Sequence, residues 1–139
     1  MTYALAAGLQ QALYAHLQGN VDLQALIGDA LFDAPPRGAR PPLYVALGDE
    51  EVRDLSDKTG TGAQHDLTIS VVADNSGFAQ VKTVAGVIAD ALQDAPLSLP
   101  RGQLSYLRFH RARAARARNN ETRRIDMTFR ARLSDDSAA

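Results

Sequence analysis

The chain opens on a helical pattern. Leu5, Leu9, Leu13 and Leu17 recur at every fourth position with Ala12 beside them, which lays one apolar stripe along a helix over residues 3–18. Thr2 stands where an N-cap belongs and Gly19 where the helix would stop. A shorter helix follows, capped by Asn20, with Val21, Leu23, Leu26 and Ile27 as its apolar side and Gly28 as its end. The period then changes. Ala30–Asp33 reads as a short extended piece, and Pro35, Pro36, Gly38, Pro41 and Pro42 interrupt regular structure. Leu43–Leu47 is a run of strand formers closed by Gly48.

Residues 49–63 are polar, charged and glycine-containing, and are expected to form a long mobile loop. Strict alternation returns over residues 64–74. His65, Leu67, Ile69, Val71 and Ala73 fall on one face of a strand, and Gln64, Asp66, Thr68 and Ser70 on the other. Asn75-Ser76-Gly77 marks a turn and the start of a helix that runs to about Gln93, with Phe78, Val81, Ala85, Ile88 and Leu92 on one side. Pro96 and Pro100 end it.

The last third reads as a β-hairpin. One arm covers Gln103–Arg113, with Leu107 and Phe109 pointing inward. The other covers Thr122–Leu133, where Ile125, Met127, Phe129, Ala131 and Leu133 alternate with Arg124, Asp126, Thr128, Arg130 and Arg132. The tip lies around residues 114–121 and includes Asn119-Asn120; residues 134–139 read as a frayed tail. The expected fold is α+β: an antiparallel sheet of about four strands with helices packed on one face and a C-terminal β-hairpin. No internal repeat or domain boundary breaks residues 1–139, so one domain is expected.

Composition narrows the function. At 45% hydrophobic and 22% charged, the chain can build a core and is not a disordered segment. It has no Cys, which removes disulfides, Cys-ligated zinc and thiolate catalysis. No apolar run approaches the roughly 20 residues of a membrane span, and Met1–Leu17 lacks the basic start and continuous apolar core of a signal peptide, so no membrane partner and a cytoplasmic origin are expected.

Charge is unevenly spread. Residues 1–100 carry twelve carboxylates against five Lys and Arg, and residues 101–139 carry ten Arg against four carboxylates. Such a division suits unlike surfaces facing unlike partners, or an arginine-rich strand pair with a solvated face. The histidines, His16, His65 and His110, have no partner at a metal-site spacing and read as structural or surface groups. Asp49-Glu50-Glu51 lacks the ligand spacing of a calcium loop. Gly60-Thr61-Gly62 lacks the following helix and lysine of a phosphate-cradling loop. No catalytic residue, cofactor or metal site is expected. What rises above background is basic: Arg108, Arg111, Arg113, Arg116 and Arg118 on the first arm and tip, then Arg123, Arg124, Arg130 and Arg132 on the return. Arginine forks suit phosphate or carboxylate, so this hairpin can touch DNA or an acidic neighbouring subunit. No aromatic residue lies within residues 111–124, which weighs against a base-stacking platform.

Several pieces fall in a recognisable order. They are the Leu-periodic opening helix, Pro42-Leu43-Tyr44-Val45-Ala46-Leu47-Gly48, the polar loop, and His65-Asp66-Leu67-Thr68-Ile69-Ser70-Val71. The helix through Val81, Ile88, Ala89 and Leu92 follows, and Glu121-Thr122-Arg123-Arg124 then leads into Met127-Thr128-Phe129-Arg130-Ala131-Arg132. In these the chain resembles the tail-completion family of long-tailed bacteriophages, also called tail terminators or head–tail joining proteins, with members in phage-like gene transfer agents. The Arg/Ala-rich stretch Arg111–Arg118 departs from the family pattern.

The resemblance implies a structural virion protein and no enzyme. Its protomer would form a homo-hexameric ring that caps the tail tube and docks to the head connector or stopper protein. Double-stranded DNA would pass through the lumen. The protein would sit at the head–tail junction and be assembled in the host cytoplasm. On that reading Arg111, Arg113, Arg116, Arg118, Arg123 and Arg124 are candidates for assembly or lumen contact. Asp49, Glu50, Glu51, Arg53 and Asp54 are candidates for inter-subunit contact. The alternative is a nucleic-acid-binding module that uses the arginine-rich hairpin 108–132.

Overall fold

The computed structural model describes residues 3–34, 38, 41–58, 60–74, 78–117 and 122–135. Thr2, Asn75-Ser76-Gly77, Arg118, Asn119-Asn120 and the last four residues therefore lie outside the described residues. Helix α1 spans Ala6–Gln18, α2 Val21–Ile27 and α3 Phe78–Leu92; strands are β1 Leu31–Phe32, β2 Leu43–Asp54, β3 Gly62–Asp74, β4 Gln103–Ala117 and β5 Thr122–Ser134. They form one five-stranded sheet in the order β1-β2-β3-β5-β4.

The leucine stripe of α1 is buried as its spacing requires, at Leu9, Leu13 and Leu17. Asn20 Oδ1 accepts the Leu23 N–H at 2.9 Å, capping α2. Gly28, at φ +61°, turns the chain out of α2 into a conformation that a Cβ disfavours. His16 Nε2 donates to the Ala91 carbonyl at 2.9 Å and ties α1 to α3. The three helices cover one face of the sheet. Their apolar sides meet Val45 and Leu47 of β2, the odd positions 67–73 of β3, Leu107 of β4, and the odd positions 125–133 of β5 in one continuous core.

Two corrections to the expected sheet follow. β1 is a fifth strand and pairs parallel to β2, Leu31 with Val45 and Phe32 with Ala46, so the sheet is mixed and not purely antiparallel. Residues 49–63 are not one long loop. β2 continues to Asp54 and β3 begins at Gly62, leaving only residues 55–61 as the connection. The misreading has a physical cause in a β-bulge: Gly48 and Asp49 together oppose Thr68, between the pairs Leu47–Ile69 and Glu50–Leu67. The extra residue inverts the alternation, so Glu50 and Val52 take the helix side and Glu51 and Arg53 the open side.

β4 carries two similar irregularities, after Leu104 and after Phe109. Beyond the second, Arg111 pairs with Thr128 and Arg113 with Asp126, and both arginines join the open side of the sheet. Phe109, expected to point inward, is 45% exposed; it meets Phe129 edge-on at 5.9 Å but lies at the outer strand. The tail is ordered further than expected. Ser134 belongs to β5, and Asp135 is held by Arg101 at 2.7 Å and by its own N–H to the Thr61 carbonyl.

Candidate assembly surface

The face of the sheet away from the helices is a lattice of polar groups fixed by strand pairing. Register places Asp66 of β3 opposite Arg130 of β5. The guanidinium grips the carboxylate with two bonds, Nε to Oδ1 at 2.9 Å and Nη2 to Oδ2 at 3.2 Å. Arg130 Nη2 also donates to His110 Nε2 at 3.3 Å, drawing β4 into the same cluster. The Arg130 bond holds the Asp66 carboxyl below its ordinary value, against the opposing effect of partial burial. Further along, Ser70 Oγ donates to Asp126, and Arg124 donates to Asp126 at 2.8 Å and to Ser70 at 3.2 Å. The Arg108 guanidinium stacks on Tyr106, 3.8 Å from the ring centre. Tyr44, Ala46 and Val72 add a small apolar patch on this side, with Phe32 against Tyr44. Between them opens a trough of about 1060 Å³ lined by Tyr44, Ser70, Arg111, Arg113, Arg124 and Asp126.

The arginines singled out in the sequence do not form one group. Arg111 and Arg113 stand exposed on the open side of β4 with no ion-pair partner among the described residues. Arg116 is exposed on the helix side of the same strand, opposite Arg123. Arg123 lies 5.6 Å over the Phe78 ring. Arg124 is committed to Asp126. Arg118 lies outside the described residues.

The acidic arm is likewise divided. Asp49 sits in the β2 bulge and Glu51 pairs opposite Asp66; both are exposed, as is Arg53 opposite Gln64. Asp54 accepts from the Ser56 N–H and hydroxyl, which lower its pKa. Glu50 turns inward and accepts from Tyr3 Oη and from His65 Nδ1, the latter at 3.4 Å. A carboxylate only accepts, so Nδ1 carries the hydrogen. His65 is fully buried and its Nε2 finds no hydrogen-bond partner among the described residues.

Sequence reasoning missed the Asp66–Arg130–His110 and Ser70–Asp126–Arg124 clusters. Each joins side chains on different strands, and only the alternation of charge on β3 and β5 hinted at them. Among the described residues no three His, Asp or Glu side chains gather as a metal site, and no helix is long and apolar enough to cross a membrane. The arrangement is suited to binding surfaces of opposite charge, with a rigid apolar layer behind it.

The family model described as Tail completion protein gp17 matches residues 11–134. A solved chain from a structure described as "Virion of native gene transfer agent (GTA) particle" is 49% identical, with a TM-score of 0.90, and the match covers 96% of this chain and 99% of that one. No curated protein matches.

Proposed function

The chain belongs to the tail completion protein gp17 family, and on that premise we propose that residues 1–139 act as one domain of a homo-hexameric ring that caps the tail tube and joins it to the head connector. The protein is a structural part of the particle at the head–tail junction and not an enzyme. Double-stranded DNA passes through the lumen of the ring. The observation that carries this reading is the 49% identity, over nearly the full length of both chains, to a component of a gene transfer agent virion. At that likeness the fold is shared, and the role of one is the natural role of the other.

Mass measurement of the purified protein, alone and with tail-tube protein, tests the ring. A hexamer on the tube end is expected. A chain that stays monomeric in the presence of tubes overturns the reading, whereas a monomer in isolation fits a ring that forms only on its template.

Arg111, Arg113 and Arg116, which have no ion-pair partner among the described residues, favour one alternative, a nucleic-acid-binding module. Duplex affinity of the isolated chain would then fall with salt at a log–log slope of about −0.9 per phosphate neutralised. Tight binding in a gel shift, lost on replacing Arg111, Arg113 and Arg116, selects this reading over the ring.

A further inference from the structure

Two lengths of sheet edge are open, and they carry opposite charge. β1 has only two residues and pairs with β2 only at Val45 and Ala46, where the Val45 N–H is taken by the Ala30 carbonyl. Beyond Ala46 the outer side of β2 has no strand partner among the described residues. At the other edge, the Asp94 N–H binds the Leu107 carbonyl and occupies the outer side of β4 at that residue. From Phe109 to Ala117 the outer side of β4 has no strand partner among the described residues.

Backbone directions follow from those bonds. The Leu107 carbonyl faces outward, and Leu107 is opposite Ala131. Alternation along β5 then points the N–H and C=O groups of Ala112 and Ala114, opposite Met127 and Ile125, outward as well. On β2, Leu55 N–H reaches inward to the Gly62 carbonyl, so Asp54, Val52 and Glu50 present their backbone groups outward.

Charge selects what can pair with what. β4 displays Arg108, Arg111, Arg113 and Arg116, while the arm of β2 carries Asp49, Glu50, Glu51 and Asp54 against one cation, Arg53. Two β4 edges from different copies would set arginine against arginine, and two β2 edges carboxylate against carboxylate. Either self-pairing is disfavoured, as charged edge strands usually are. β4 against β2 opposes unlike charges. The irregularities of β4 end at Arg111, leaving a regular stretch to Ala117 in which Ala112, Ala114 and Ala115 leave room for another strand.

We propose that copies of this chain join by strand addition, with residues 109–117 of β4 in one subunit pairing along residues 48–54 of β2 in the next. Three antiparallel steps separate β2 from β4, so they run in opposite directions and a head-to-tail repeat meets as an antiparallel pair. The contact is heterologous, using two different patches, and this is the kind of contact that generates a ring when its rotation closes. The inference rests on the ring reading above and supplies the joint that reading lacks.

Ala114→Pro tests it. The substitution removes one outward N–H and leaves the bonds from Arg113 and Ala115 to β5, and proline is tolerated at such outward edge positions. The free subunit should keep its circular dichroism spectrum, and ring formation on purified tail tubes should fall at least about tenfold. Ala114→Val, which keeps the N–H, should assemble normally. An Ala114→Pro protein that forms rings at the wild-type level overturns strand addition and leaves the ring intact. A wild-type chain that never forms rings overturns both. If Ala114→Pro fails to fold, introduced cysteines decide, because the chain has no other cysteine. Val52→Cys combined with Ala112→Cys or Ala114→Cys should give a ladder of disulfide-linked subunits on tubes. Rings without any linked subunits in either pair overturn the proposal.

Discussion

The two faces of one sheet are built from alternate residues of the same strands, and they do different work. Along β5, Ile125, Met127, Phe129, Ala131 and Leu133 are buried beneath the helices, while Arg124, Asp126, Thr128, Arg130 and Arg132 stand on the other side. The first set loses water and gains close packing, so it carries the stability of the subunit. The second set is bound mainly through exposed or half-exposed ion pairs, each worth about 0–1 kcal/mol. In the proposed ring, a subunit would gain from this separation. Its attachment surface can be charged and varied without weakening its core.

The largest effect should come from the helix-covered face. Phe129 is fully buried and central to the core. Phe129→Ala should cost about 3–5 kcal/mol in chemical denaturation, through lost transfer energy and the cavity left behind. A cost below about 1 kcal/mol would mean that this face does not carry the fold. Next comes the turn that brings the chain into β4. Gly102 has φ +76°, and a Cβ there would stand 2.7 Å from the Ser134 carbonyl oxygen and 2.8 Å from Leu5. Gly102→Ala should cost about 1–3 kcal/mol, measured in the same way. A neutral result would show that α1 and the end of β5 yield easily at this point.

The same division explains which parts were readable in the sequence. The helix-covered face was legible because burial imposes a period: the leucines of α1 and the odd positions of β3 and β5 are where alternation puts them. The open face was legible only in composition. The bulge at Gly48-Asp49 inverted the alternation of β2, so six strand residues read as loop. β1 was legible as an extended piece, but its parallel pairing depends on a partner more than ten residues away. The arginines were conspicuous, and Asp126 stands two positions from Arg124 on the same face of β5, yet nothing local distinguishes Arg130, whose partner Asp66 lies on β3, from Arg111 and Arg113, which have no ion-pair partner among the described residues. That difference is set by the register between β3, β5 and β4.

A smaller effect should come from the open face and should depend on pH. Arg130 holds Asp66 below its ordinary value of 3.8, and Arg101 does the same for Asp135. Folding therefore favours the ionised carboxylates. Their stabilisation is fully present above the unfolded value and is lost as pH falls through the lower folded value. Melting temperature should decline from about pH 4 downward, and Asp66→Asn should flatten part of that decline while changing stability near neutrality by about 0–1 kcal/mol. An unchanged acid profile in Asp66→Asn would show that the Asp66–Arg130 pair contributes nothing to acid sensitivity.

The smallest effect on folding should come with the largest effect on assembly. Arg111 and Arg113 have no ion-pair partner among the described residues, so reversing both to Glu should alter stability by about 0.5 kcal/mol or less. In the proposed hexamer, with DNA passing through its lumen, six copies of these arginines would otherwise be adhesive to DNA at low salt. Carboxylates of an adjacent subunit, such as Asp49 and Glu51, offer a way to neutralise them while DNA passes. Reversal would then set like charges against each other at the joint and lower the yield of DNA-filled, tailed particles, with folding intact. Adding Glu51→Arg to the reversed protein should recover part of that yield, because unlike charges meet again. If the reversed protein gives tailed particles at the normal level, the open side of β4 has no part in assembly. Its charge is then solvated surface, and the contrast between the two faces is one of stability alone.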